Sequence, residues 1–286
     1  MERNGVFNMK NKNDIISALF SCPKCKSDMY VSEDGKSAYC RGERRHCFDF
    51  SSDGYLSMHG TGGDSKEAVL ARREFLGKGY YKKMAEAICL ALEKYSLPTE
   101  AVIIDAGCGE GYYTSLLSER ADMTVGFDLS KYACSSGAKA ARREKKENLL
   151  YTTASVFELP IKSGAADALF NIFAPCAEQE YSRVLKRGGF LFVVGAGKNH
   201  LMGLKRVLYD EQYENGERAD LPKNMKKTET VIVSDTVRVE NQKDILSLFS
   251  MTPYYWRTSE ADKEKLLALD SLETEIEFEI NIYQNN

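Results

Sequence analysis

Ala101-Val-Ile-Ile-Asp-Ala-Gly-Cys-Gly-Glu-Gly111 decides the fold. Its first half is a short apolar run ending in an acid, the composition of a strand buried on both faces. Its second half places glycines at 107, 109 and 111, and a helical pattern follows. Glycines so spaced let the backbone turn tightly and approach a ligand where a Cβ would clash. Working outward, apolar runs at 124–128, 150–154, 166–172 and 190–195 read as further strands, with helical patterns at 130–146 and 177–185 between them. Such alternation predicts an α/β protein whose mostly parallel sheet is covered by helices on both faces. Ahead of the glycine turn, residues 66–95 read as helix, broken in two by Gly77 and Gly79. Behind it come a strand at 230–239, a helix at 241–249 and a strictly alternating stretch at 275–282, which reads as an edge strand. Five alternating units and two further strands predict a seven-stranded, Rossmann-like sheet.

Two acids give the glycine turn a chemistry. Asp105 precedes the glycines, where a carboxylate can accept the ammonium of a zwitterionic ligand. Asp128 ends the second strand about twenty residues on, where an acid can bind ribose hydroxyls. A glycine turn alone would also serve a dinucleotide. Joined to these acids it resembles the class I methyltransferase pattern, which implies S-adenosylmethionine held by Asp105, Gly107, Gly109, Glu110, Gly111 and Asp128. By the same pattern Ser155 flanks the adenine, and residues 167–175 close the switch point where the methyl acceptor meets the sulfonium. Arg187-Gly-Gly189 is the turn before the fifth strand.

The first fifty residues carry a different chemistry. Cys22-Pro-Lys-Cys25 is a thiolate pair on a tight knuckle, followed by Cys40, His46 and Cys47. A structural zinc ion takes four nitrogen or sulfur ligands in a tetrahedron, so the fourth ligand is either His46 or Cys47. A module too small for its own core gains stability from such a metal. The other four cysteines, of eight in all, sit in apolar contexts as small hydrophobes. A polar, glycine-rich joint at 59–65 reads as a linker or lid.

The 286 residues, 43% hydrophobic and 28% charged, have an ordinary globular composition. No apolar run approaches a membrane span, and residues 1–13 lack a signal-peptide core, so a soluble cytoplasmic protein with reduced thiols is expected. A net charge of −3 removes any global basic signal for nucleic acid. Local basic groups remain: Arg41, Arg44 and Arg45; Arg72, Arg73, Lys78, Lys82 and Lys83; and Arg142, Arg143, Lys145 and Lys146.

Phe20-Ser-Cys-Pro-Lys-Cys25, His46-Cys-Phe-Asp49, Ala71-Arg-Arg-Glu-Phe-Leu76, Gly79-Tyr-Tyr81, Phe173-Ala-Pro-Cys176, His200-Leu-Met202 and Met251-Thr-Pro-Tyr-Tyr-Trp-Arg257 span nearly the whole chain. Together they resemble the RlmA family of large-subunit rRNA guanine-N1 methyltransferases, which includes members linked to tylosin resistance. The resemblance implies methyl transfer to N1 of one guanine in a 23S rRNA hairpin near the peptide exit tunnel. It implies a homodimer, and a division into a zinc-binding RNA-recognition module (1–60) and an S-adenosylmethionine-dependent methyltransferase domain (61–286). It makes Cys22, Cys25, Cys40 and His46 the zinc ligands, and adds Tyr81 and His200 to the cofactor contacts. This chain departs from the pattern in its longer Cys40-to-His46 spacing and in the adjacent Cys47. No general base stands out; His200 and Glu110 are candidates. Phe173, Tyr113 and Trp256 are aromatics that can stack on a target base. Two rivals remain: a small-molecule methyltransferase, against which the zinc module argues, and a non-catalytic, zinc-dependent RNA-binding factor, against which the intact Asp105, Gly107, Gly109 and Asp128 argue.

Overall fold

The computed structural model describes residues 11–60, 62–211, 213–216 and 218–286; residues 1–10, most of the stretch read as lacking a signal core, lie outside them. The chain opens with α1 (Lys12–Leu19) and four short strands: β1 (Met29–Val31), β2 (Ser37–Cys40), β3 (Cys47–Asp49) and β4 (Leu56–Ser57). Two helices follow, α2 (Lys66–Gly77) and α3 (Lys82–Lys94). Ser65 caps α2 by accepting from the Ala68 amide, and Gly79 at φ +84° lets the chain leave it. The alternating part runs β5 (Val102–Ala106), α4 (Tyr112–Ser118), β6 (Met123–Asp128), α5 (Lys131–Arg143), β7 (Leu149–Thr153), β8 (Ala166–Ile172), α6 (Glu178–Val184), β9 (Leu185–Ala196) and α7 (Met202–Leu208). It closes with β10 (Lys226–Val239), α8 (Gln242–Ser250), α9 (Glu260–Leu267) and β11 (Leu272–Gln284).

The main sheet has the order β10-β11-β9-β8-β5-β6-β7-β4. β5 to β9 are parallel, and β11 inserts antiparallel between β9 and β10. The winding reverses between β5 and β8, so the turns leaving those two strands flank the crevice where such sheets bind ligands. The expected edge strand at 275–282 is an interior strand, and the edge is the exposed β10. Alternation records that one face is solvated, and here Glu273, Glu275, Glu277 and Glu279 line that face. It does not record whether a neighbour pairs with each edge.

An eighth strand was not expected. β4 pairs in parallel with β7 through Leu56 with Thr152 and Ser57 with Thr153, so the cysteine-rich start is stitched to the sheet. The core crosses residue 60 as well: Ile15, Ile16, Leu19 and Phe20 pack with Val125, Phe127, Leu150 and Ile161. Each fully buried side chain of this kind contributes about 1.5–3 kcal/mol. The joint read as a linker is pinned too, since the Met58 and His59 amides donate to Thr153 Oγ1 and Ser130 Oγ donates to the Asp64 carbonyl.

Tyr151 on β7 is buried in a slot walled by three glycines. A Cβ at Gly111, Gly126 or Gly137 would lie 2.3, 2.9 or 2.6 Å from its ring or hydroxyl. Replacing an interior helical glycine by alanine ordinarily stabilises a helix by about 0.5–1 kcal/mol. Gly137→Ala in α5 is expected to do the opposite and destabilise by about 1–3 kcal/mol, because the methyl overpacks against Tyr151. Urea titrations of the two proteins check this, and a higher midpoint for the alanine variant would show that the slot is loose.

Candidate functional site

The glycine turn joins β5 to α4, and all three glycines take positive φ: +91° at 107, +54° at 109 and +91° at 111. Only Gly109 leaves room for a Cβ at ordinary contact distance. A Cβ at Gly107 would meet Ala174 Cβ at 2.4 Å, and one at Gly111 would strike Tyr151, so these two are required by packing. At Gly109 the nearest atom is Arg72 Nη1, 3.6 Å away. The Gly107 contact presses the turn after β5 onto the turn after β8, which brings the cofactor loop to the expected acceptor side.

Asp105 is buried at the end of β5. Its Oδ2 accepts from Thr114 Oγ1 at 2.7 Å, while Oδ1 is buried with no hydrogen-bond partner among the described residues. Burial pushes its pKa up to about 7, with the Thr114 bond opposing and the charges of Asp128 and Glu110 adding. Asp128, ending β6, is held by two amides: Gly109 N–H to Oδ2 at 3.0 Å and Ser130 N–H to Oδ1 at 2.7 Å. Its pKa and that of Glu110 are both raised, chiefly by burial. Ser155 lies next along the same sheet edge, its hydroxyl accepting from the Phe157 amide, and the Ala154 amide donates to the Asp128 carbonyl.

Tyr81, at the start of α3, and His200, after β9, meet across the other side of the crevice, with Tyr81 Oη 3.5 Å from His200 Nε2. Both pack on Phe278, with ring centroids 4.8 and 4.7 Å away. His200 Nδ1 accepts from the Glu277 amide at 3.3 Å, which leaves the proton of the neutral ring on Nε2. Burial lowers its pKa to about 4. Tyr113, read as a possible stacking partner, is partly buried, and its enclosed hydroxyl has no hydrogen-bond partner among the described residues. Phe173 is half-exposed after β8 and takes φ +55°, a left-handed conformation that costs a non-glycine residue about 1–2 kcal/mol. Its amide bond to the Val194 carbonyl and the Arg218 bond to the Ala174 carbonyl hold that turn. Trp256 is 85% exposed and packs on Tyr255.

The second cluster lies in the first fifty residues. The ligand atoms of Cys22, Cys25, Cys40 and His46 all lie within 4.8 Å of one another. Cys25 Sγ is 3.6 Å from Cys40 Sγ, and His46 Nδ1 is 3.5 Å from the sulfurs of Cys22 and Cys40. A tetrahedral zinc ion separates its ligands by about 3.5–3.8 Å, given Zn–S near 2.3 Å and Zn–N near 2.0 Å. The donor set therefore fits zinc. The long loop between Cys40 and His46 is accommodated by Gly42, where a Cβ would lie 2.9 Å from Cys25 Sγ. Cys47 belongs to β3, where Phe48 points inward, and its exposed sulfur lies 3.6 Å from Asp49.

Sequence reading placed Arg72 and Arg73 among the local basic groups available to nucleic acid, not at the cofactor turn. Arg72 turns into the cofactor crevice and donates to Asp64 at 2.7 Å, and Arg73 donates to Ser136 on α5. Helical phase alone could have separated them from the exposed cations, but the partners they meet, Asp64 and Ser136, lie outside α2.

Known proteins share this layout. A family model described as a methyltransferase domain matches residues 104–193. A solved structure from Galdieria sulphuraria, provisionally a sarcosine dimethylglycine methyltransferase, superposes with a TM-score of 0.51 at 11% identity, covering 77% of this chain and 98% of that one. The chain has the class I methyltransferase fold. A Bacillus subtilis protein provisionally named 23S rRNA (guanine-N(1)-)-methyltransferase YxjB is 28% identical, covering 95% of this chain and 99% of that protein. The Streptomyces fradiae 23S rRNA (guanine(748)-N(1))-methyltransferase is 29% identical over 65% of this chain and 68% of its own length. These names bear out the family resemblance read from the motif blocks. S-adenosylmethionine is the methyl donor of this fold, and the crevice fits it: a buried carboxylate oxygen without a partner suits the methionyl ammonium. No helix among the described residues is long and apolar enough to cross a membrane.

Two predictions follow from these clusters. One zinc ion per chain is expected by metal analysis. Cys47→Ser should keep it, whereas His46→Ala should lose it and lower stability by at least about 3 kcal/mol. The reverse pattern would make Cys47 the ligand. The second concerns Asp105, whose folded pKa of about 7 exceeds the ordinary carboxyl value near 3.9. Its contribution to stability therefore falls as pH climbs between those values, because the folded state holds the proton longer. An ammonium partner takes the ionised form, so cofactor affinity should rise roughly tenfold from pH 5.5 to 7. Calorimetry on the wild type and on Asp105→Asn tests this, with a weak, flat profile expected for the variant; a flat wild-type profile would remove Asp105 from the ammonium.

Proposed function

We propose that the protein methylates N1 of a guanine in 23S rRNA, in a hairpin near the peptide exit tunnel, using S-adenosylmethionine. The observation that carries this reading is the presence, on one continuous core, of a methyltransferase crevice and a zinc-type knuckle with a basic aromatic face. On that face Arg41 lies over the Tyr30 ring at 4.8 Å and Arg45 over the Tyr39 ring at 4.3 Å. Stacked guanidiniums keep their in-plane N–H groups free for phosphates, and stacked tyrosines suit unpaired bases. The relatives' names, guanine-N1 methyltransferases of 23S rRNA, point the same way.

On this reading residues 1–60 are the RNA-recognition module, with zinc on Cys22, Cys25, Cys40 and His46, and residues 61–286 carry the chemistry. Asp105, Gly107, Gly109, Glu110, Gly111, Asp128, Ser155, Tyr81 and His200 hold the cofactor, and the enzyme works in the cytoplasm as a homodimer. The bound cofactor supplies an electrophilic methyl group on a sulfonium. The protein's task is to hold a splayed-out guanine so that N1 faces that methyl, and positioning of this kind can supply about 7–11 kcal/mol. Phe173, half-exposed and held in a left-handed turn above Gly107, is placed to stack on the base. His200 is a poor candidate for removing the N1 proton, since its Nδ1 lone pair is engaged, Nε2 carries the ring proton and burial lowers its pKa to about 4. It orients the pocket through Tyr81 and Phe278 instead.

Single-turnover methylation of protein-free 23S rRNA with labelled S-adenosylmethionine, followed by primer extension, tests the reading. N1-methylguanine blocks Watson–Crick pairing, so one strong stop in the exit-tunnel hairpin is expected. Cofactor binding without any stop would exclude this RNA as the substrate.

A further inference from the structure

The methionyl group of S-adenosylmethionine is a zwitterion, and in a buried crevice each of its charges needs a partner. The free Oδ1 of Asp105 suits the ammonium. The carboxylate needs a cation, and the site is otherwise acidic, with Asp64, Asp105, Glu110 and Asp128 around it. The cation set against the glycine loop is Arg72. It reaches in from α2, and a single hydrogen bond, Nη2 to Asp64 Oδ2, fixes one side of its guanidinium. Nη1 and Nε have no hydrogen-bond partner among the described residues, and Nη1 lies 3.6 Å from where a Gly109 Cβ would be. Gly109 is the one glycine of the turn not closed off by packing, and its amide is anchored to Asp128. Arg72 thus sets a planar fork of N–H donors against bare loop backbone, with no side chain between them. A planar fork of this kind matches the two oxygens of a carboxylate.

We propose that Arg72 binds the methionyl carboxylate of S-adenosylmethionine across Gly109, completing the recognition that Asp105 begins. The proposal rests on the cofactor reading above. Asp64 acts as the positioning partner, and Ser65, capping α2, sets the helix that delivers the side chain. The motif around Ala71-Arg-Arg then belongs to the cofactor site and not to the RNA face.

Equilibrium binding of S-adenosylmethionine and of its decarboxylated analogue to the full-length, zinc-loaded protein tests this without any turnover. The wild type should prefer the carboxylate-bearing ligand about ten- to hundredfold, the range of a charge-assisted hydrogen-bonded pair. In Arg72→Gln that preference should fall to within about threefold, with affinity for the analogue unchanged or improved, and Arg72→Lys should restore part of it. Zinc content and a circular dichroism spectrum matching the wild type serve as the folding controls, independent of either ligand. Equal loss of both by Arg72→Gln and Arg72→Lys in folded protein would make Arg72 a mere counterion to the acids and overturn the proposal. A preference retained in Arg72→Gln would also overturn it, by placing the carboxylate elsewhere. If the wild type binds neither ligand, the cofactor reading itself fails, and the proposal with it.

Discussion

Tyr151 fills a slot cut from three elements: the loop glycine Gly111, the strand glycine Gly126 and the helix glycine Gly137. No side chain larger than a hydrogen atom fits at any of these positions unless the ring moves. The distance between the glycine turn, β6 and α5 is therefore set by the thickness of one aromatic ring, and its hydroxyl donates to the Gly111 carbonyl. With the turn fixed there, the Gly109 amide reaches Asp128 and Gly107 reaches Ala174. The cofactor loop is thus held from below by packing, and its upper surface is left to the ligand. Glycines in such a turn serve two ends, close packing and close approach, and the structure assigns two of the three loop glycines to the first.

The distribution of charge answers how a chain with net charge −3 can carry a nucleic-acid reading. Asp105, Glu110 and Asp128 are buried or partly buried in the cofactor crevice, and Glu273, Glu275, Glu277 and Glu279 lie along one face of β11. At the knuckle Arg41 and Arg45 stand over tyrosines, with Asp28 near Arg41. The basic run from Arg72 to Lys83 divides differently. Arg72 and Arg73 turn inward, Lys78 pairs with the buried Asp244, and Lys82 and Lys83 pair with Glu86 and Asp235. A summed charge hides this segregation, and a binding surface depends on the local field.

Most of the fold was legible because strands buried on both faces announce themselves as apolar runs, and the runs after Ala101 alternate with helical patterns. The glycine turn and Asp128 located the crevice, and the spacing of the cysteines located the knuckle. What stayed hidden has physical reasons. β4 is two residues long, too short for any periodicity. The place of β11 inside the sheet is decided by β10, which pairs with it from more than thirty residues away. Arg72 looks like surface charge until Asp64, Glu110 and Asp128 are brought around it by three separate turns. The choice between His46 and Cys47 was closer to hand: Phe48 is the apolar residue of β3, and strand alternation sends its neighbour Cys47 to the solvent side.

The same short strand explains how two chemistries share one rigid body. β4 leaves the cysteine-rich start and pairs with Thr152 and Thr153 of β7, and Thr153 Oγ1 then binds the amides of Met58 and His59. Just past β7, the Ala154 amide binds the carbonyl of Asp128, the acid that ends β6. A hinge at this junction would expose the parallel ladder and part Phe20 from Phe127, whose rings lie 6.0 Å apart in the common core. Backbone pairing and buried aromatic surface both oppose that motion. The knuckle is thereby held at a fixed place relative to the cofactor crevice, so an RNA gripped by one would present its base to the other without a search by a flexible tether.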